Sequence, residues 1–191
     1  MLKCPDHVFA FEAIRAVYPN AKLIFVHRDP VNVLRSVAKL TELIRAPFAR
    51  WIDPRAIGRQ ESARWQEGTR RMIRTARDSG FGLPIAHVHY LDLVTDNLAT
   101  IDGVYRQFGL RLSPEAEKWM VRAIWGQPHG GYAQHSYRFE DHGFDVAAER
   151  AKFRDYMVEF GIQPEGQARG VASASIFQNS RDASQNSRHF S

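Results

Sequence analysis

Apolar residues fall into two kinds of run along this chain. Residues 22–27 (KLIFVH) and 83–90 (LPIAHVHY) are short and nearly continuous, the pattern of strands buried on both faces. After the first run, Val31, Val33, Leu34, Val37, Ala38, Leu40 and Leu43 recur at helical spacing to about residue 44. Asp29 suits the N-cap of that helix and Pro30 its first position. The second run leads to a helix predicted over about 95–108, carrying Leu98, Ile101, Val104, Tyr105 and Phe108, with Gly109 to end it. Further helices are predicted near 7–17, 60–79, 114–125 and 146–160; Ser113-Pro114-Glu115 marks one start. Strands separated by helical segments predict a parallel sheet covered on both faces, an α/β fold. Two strands are few for a core of this size, so the expected sheet is a portion of a larger one. Residues 126–145, rich in Gly and His, read as irregular. The stretch 164–191, rich in Ser, Asn, Gln and Ala, reads as a disordered tail, leaving 1–163 as one domain.

Composition narrows the classes. The 191 residues, 44% hydrophobic and 25% charged, suffice for one domain with a core of its own. No run approaches the ~18 apolar residues of a membrane span, and the first residues lack the order of a secretory signal. The lone Cys4 agrees with a reducing compartment, so a cytoplasmic chain is expected. The net charge of +5 favours anionic partners. The basic cluster Arg64, Arg70, Arg71, Arg74 and Arg77 has the spacing of a solvated helix face, so nucleic acid is not indicated. His87 and His89 share one strand face but lack an evident third ligand, which argues against a metal site.

Two segments carry candidate chemistry. In His27-Arg28-Asp29-Pro30, Arg28 is placed at the carboxyl end of a parallel strand, where open α/β sheets bind ligands. Its guanidinium, the Ser36 hydroxyl and the first-turn amides of the helix are positioned to share one anion such as a phosphate. The same residues also fit a purely structural role, with Asp29 capping the helix, Arg28 paired with a surface acid and Ser36 facing solvent. In Lys3-Cys4-Pro5-Asp6-His7, an imidazole, ordinarily titrating near ~6.5, can take a proton from an attacking hydroxyl while Lys3 neutralises a departing oxygen. A capping or surface histidine is the alternative there.

In order and spacing, these segments resemble the sulfotransferases that use 3′-phosphoadenosine 5′-phosphosulfate (PAPS), in particular a bacterial branch reading Leu-Lys-Ser-Pro-x-His and His-Arg-Asp-Pro. The resemblance continues through Val88-His89-Tyr90-Leu91-Asp92-Leu93, Phe108-Gly109-Leu110, His135-x-Tyr137-x-x-Glu140-Asp141-x-Gly143 and Phe160-Gly161-Ile162, over about residues 2–162. It implies a partial P-loop-like three-layer α/β/α fold. It implies that Arg28 and Ser36 hold the 3′-phosphate, that Tyr90 lies against the adenine, and that Tyr137, with His135, borders the nucleotide pocket. His7 becomes the general base and Lys3 a cation near the transferred group. The implied reaction moves a sulfuryl group from PAPS to a hydroxyl or amine of a small-molecule or glycan acceptor, releasing 3′-phosphoadenosine 5′-phosphate (PAP), without a metal. Trp51, between Pro47 and Pro54, falls where the family builds part of its acceptor cleft.

The chain departs from the pattern at Cys4, Arg138 and His142. It also contains no Gly-x-x-Arg-Ser-Gly-Thr string, the family's 5′-phosphosulfate loop. The expectation is therefore the carboxyl-terminal two-thirds of such an enzyme, with a non-catalytic PAP-binding remnant as the alternative. A P-loop kinase fails for want of Gly-x-x-x-x-Gly-Lys-[Ser/Thr]. An unfinished sheet edge would favour a homo-oligomer.

Overall fold

The computed structural model describes residues 1–125 and 139–165. A 3-10 turn at Pro5–Phe9 leads into helix α1 (Phe11–Val17), strand β1 (Leu23–His27), α2 (Pro30–Arg45) and, past a second 3-10 turn at Ala46–Phe48, the long α3 (Pro54–Arg77). Strand β2 (Ile85–His89) runs directly into α4 (Tyr90–Thr95), followed by α5 (Asn97–Gln107) and α6 (Pro114–Trp125). A 3-10 turn at Phe139–His142 precedes α7 (Val146–Lys152) and α8 (Arg154–Glu159). Among the described residues the sheet is the parallel pair β1–β2, with Phe25 opposite His87 and His27 opposite His89. The architecture is thus α/β, a short parallel sheet among many helices. No described helix is long and apolar enough to cross a membrane.

Differences from the predicted boundaries have local causes. Helix α3 starts at Pro54, not near 60, because Asp53-Pro54 repeats the device of Asp29-Pro30: the Asp53 carboxylate accepts from the Arg55 N–H at 2.9 Å, and proline fills the first position. Tyr90, predicted to end the strand, opens α4. The predicted 7–17 helix is divided at Ala10, which leaves helical backbone geometry. The predicted 146–160 helix is divided at Phe153, whose N–H is shared between the carbonyls of Glu149 and Arg150.

Two apolar clusters hold these elements. Val8, Phe11, Phe25, Phe81 and Leu83 join the amino-terminal segment to one face of β1; Leu34, Ala38, Ile57, Phe144 and Phe153 join α2 and α3 to the carboxyl-terminal segment. Buried polar groups also tie α3 to α7. The Ser62 hydroxyl donates to Glu149 at 2.7 Å, and Lys152 donates to the other oxygen of that carboxylate at 2.7 Å. On the opposite face of the sheet, Ala86 and Val88 of β2 are buried, whereas their neighbours Ile24 and Val26 of β1 are 49% and 54% exposed. Among the described residues the sheet is therefore covered on the β2 side and open on the β1 side.

The α3 backbone passes close to the Phe139–His142 turn at Gly58, where an added Cβ would lie 2.1 Å from the His142 carbonyl oxygen. Alanine would gain about 1 kcal/mol of helix propensity, while overpacking a close backbone contact costs about 1–3 kcal/mol. Gly58→Ala is therefore expected to lower the urea unfolding midpoint. An unchanged or higher midpoint would show that the Phe139–His142 turn shifts freely.

Candidate functional site

Because β1 ends at His27 and α2 begins at Pro30, Arg28 and Asp29 are the whole of the strand-to-helix connection. Asp29 is 1% exposed. Its Oδ1 accepts from the Val31 N–H at 3.0 Å, capping α2. Its Oδ2 accepts from Arg150 Nη2 at 3.2 Å and from the Glu165 N–H at 2.9 Å.

The Arg28 side chain, 34% exposed, is held from two directions. Its Nε and Nη2 donate to the two oxygens of Glu165 at 2.8 and 3.0 Å. The guanidinium carbon lies 4.0 Å from the centre of the Tyr90 ring, a cation–π stack. The bond to Glu165, reinforced by the charges of Glu165, Tyr90 and Asp29, raises the pKa of Arg28 above its ordinary value despite partial burial. The Arg28 backbone N–H acts on the Tyr156 hydroxyl, partly offsetting the effect of its burial.

Beneath this turn lies a chain of ring contacts. His27 Nδ1 is 3.1 Å from the Tyr156 hydroxyl, and His27 Nε2 is 2.9 Å from His87 Nδ1. Phe160 stacks on both imidazoles, with centroids 4.2 Å from His27 and 5.2 Å from His87. A neutral His27 ring carries one proton, so it donates through only one of these two contacts and accepts through the other. Burial, aided by His87 and His89, pushes the His27 pKa down to about 3. Burial and His89 also lower that of His87, and burial raises that of Tyr156.

Of the predicted site residues, Arg28 and Tyr90 are brought together. Ser36 is exposed on the α2 face opposite the buried Leu34 and Ala38, and no hydrogen bond among the described residues joins it to Arg28. Lys3 is exposed and His7 half-buried in the first 3-10 turn; neither side chain makes a hydrogen bond or ion pair among the described residues. Tyr137, His135 and Arg138 lie outside the described residues, and Trp51 is exposed. The structural roles weighed for this turn are all present: Asp29 caps α2, Arg28 is paired with an acid, and Ser36 faces solvent. His142 is buried, with Nε2 3.0 Å from Glu42, and packs rather than facing the turn. An open groove of about 490 Å³, lined by Arg150, Arg154, Met157, Val158 and Gln163 among others, takes in none of the predicted site residues.

Sequence reasoning missed Glu165, Arg150 and the Tyr156–His27–His87 relay. His87 and His89 on one strand face were a visible signal for the relay. Nothing local marks Glu165, which is 137 residues from Arg28.

A family model described as "Sulfotransferase family" matches residues 1–114. The sulfotransferase STF9 from Mycobacterium avium is similar in structure, with a TM-score of 0.74 and 26% identity over 86% of this chain and 42% of that one. The sulfotransferase STF1 from Mycobacterium tuberculosis H37Rv is similar with a TM-score of 0.60 and 29% identity, over 81% of this chain and 39% of that one. The chain thus spans about two-fifths of the length of each. No curated protein sequence matches it.

The relay gives the turn a pH signature. His27 is held at a pKa of about 3 against ~6.5 when unfolded. Folding therefore favours the neutral ring; its stabilisation is complete above pH ~6.5 and is lost as the pH falls toward 3. Between pH ~6.5 and 5, above the range in which ordinary carboxylates titrate, stability is expected to decline with a slope of up to ~1.4 kcal/mol per pH unit per histidine. His27→Gln should flatten that decline in urea melts run at successive pH values. An unaltered slope would move the titration elsewhere.

Proposed function

Because the chain belongs to the sulfotransferase family, we propose that it binds the adenosine 3′,5′-bisphosphate portion of PAPS at the β1–α2 turn, with transfer of the sulfuryl group to a hydroxyl or amine acceptor as the associated reaction. The observation that carries this reading is Arg28. It lies at the carboxyl end of a parallel strand, offers two adjacent N–H groups to a pair of acid oxygens, and is stacked on an aromatic ring. A phosphate suits the same fork. The Ser36 hydroxyl on α2 is assigned to the same phosphate, Tyr90 to the adenine face, and Tyr137 to the border of the nucleotide pocket.

In this reading the acceptor oxygen or nitrogen attacks sulfur in line and its proton passes to the His7 imidazole. The bond from sulfur to the bridging oxygen breaks, and PAP leaves with that electron pair while Lys3 neutralises the developing charge. That Lys3 and His7 have no side-chain partner among the described residues leaves both available for these roles. The acceptor is read as a small molecule or glycan, and the unit as residues 1–163, with Glu165 just beyond it hydrogen-bonded to the turn.

Calorimetric titration with PAP tests the binding half. Arg28→Ala is expected to weaken affinity by at least about 1.5 kcal/mol, roughly tenfold, the scale of a hydrogen bond to a charged group. Equal affinity would remove Arg28 from the site. Sulfuryl transfer from PAPS to a panel of hydroxyl acceptors tests the other half, with His7→Ala expected to abolish turnover and spare PAP binding. Binding without turnover in the natural sequence would assign the chain to the non-catalytic, PAP-binding alternative.

A further inference from the structure

The Arg28 fork already holds an anion supplied by the chain itself. Both Glu165 oxygens are engaged by Nε and Nη2 of the guanidinium, and the Glu165 side chain is only 16% exposed. We propose that Glu165 is an internal competitor for the phosphate site, so that a nucleotide bearing a 3′-phosphate displaces the Glu165 carboxylate when it binds. The inference rests on the reading of Arg28 as the phosphate-holding residue.

The segment carrying Glu165 is built as a short latch on a fixed anchor. Helix α8 ends at Glu159, and two residues on Gly161, with a φ of +62°, turns the chain back. The Ile162 N–H then closes on the Met157 carbonyl at 2.8 Å, the helix-ending geometry that favours glycine, and Ile162 is buried. Beyond that anchor come Gln163, Pro164 and Glu165. The described contacts of Glu165 on the turn are its carboxylate to Arg28 and its N–H to Asp29 Oδ2. Those contacts can be given up without opening either apolar cluster, because neither includes Gln163, Pro164 or Glu165. A phosphate dianion brings more charge and more acceptor oxygens to the same fork than one carboxylate does. A closed latch lowers the fraction of binding-competent protein and weakens apparent affinity by that fraction.

The test compares PAP with adenosine 5′-phosphate, which lacks the 3′-phosphate, on the full chain and on Glu165→Gln and Glu165→Ala. Calorimetry is expected to give about tenfold tighter PAP binding in Glu165→Ala, a smaller gain in Glu165→Gln, and no change for adenosine 5′-phosphate. Amide exchange on the unmodified chain supplies a readout that needs no variant: saturating PAP should speed exchange at the Glu165 N–H as it leaves Asp29. PAP binding with equal affinity in all three proteins, or without change at that amide, overturns the latch and leaves the nucleotide reading standing. Absence of PAP binding in all three overturns the nucleotide reading, and the latch with it.

Discussion

A single buried carboxylate organises this turn. Asp29 accepts three hydrogen bonds from three parts of the chain: the first turn of α2, the Arg150 guanidinium of α7, and the backbone of Glu165. Removing one partner of a buried, hydrogen-bonded charge typically costs about 3–5 kcal/mol, a large share of a domain's net stability. The backbone of Arg28 is fixed by its neighbours on either side, since His27 is locked by Tyr156 and Phe160 and Asp29 by its three donors. The guanidinium thus emerges at a defined place, and its aim is refined by the Tyr90 ring. Preorganisation of this kind lets a single cation hold an anion strongly in partly exposed surroundings.

The two halves of the chain contribute unequally to what is seen there. The segment matched by the family model, residues 1–114, contains the strand, the turn, α2 and Tyr90. The groups that hold the turn in position, Arg150, Tyr156, Phe160 and Glu165, all lie beyond it. The open β1 side, with Ile24 and Val26 uncovered beside the buried Ala86 and Val88, reflects the same unevenness at the level of the sheet. Among the described residues, α4 and α5 pack on β2 and nothing comparable covers Ile24 and Val26.

Much of the secondary structure was legible because its signals are local. A short apolar run bounded by Asn20 and Asp29-Pro30 specifies β1, and the Asp-Pro pair specifies where α2 starts. The same pair at Asp53-Pro54 starts α3 without apolar periodicity beside it to mark the start in the sequence. Tyr90 was misplaced by one element, since aromatic residues continue a strand pattern as readily as they begin a helix. At the candidate site, the positions of Arg28 and Tyr90 follow from strand register and were within reach. Glu165 was not: it falls in a stretch whose composition resembles a tail, and only tertiary contact distinguishes it from the other acids. Ser36 illustrates the converse, since a motif spacing of eight residues puts it on α2 without deciding which way the helix turns its face.

The bond between Arg28 and Glu165 spans 137 residues of chain, and closing so long a loop is entropically late compared with forming the neighbouring helices. On the ribosome, β1 and α2 emerge long before α7, α8 and residue 165. The nascent protein therefore carries an unneutralised guanidinium and a solvent-accessible Asp29 until Arg150 and Glu165 have been made, and only then does the turn mature.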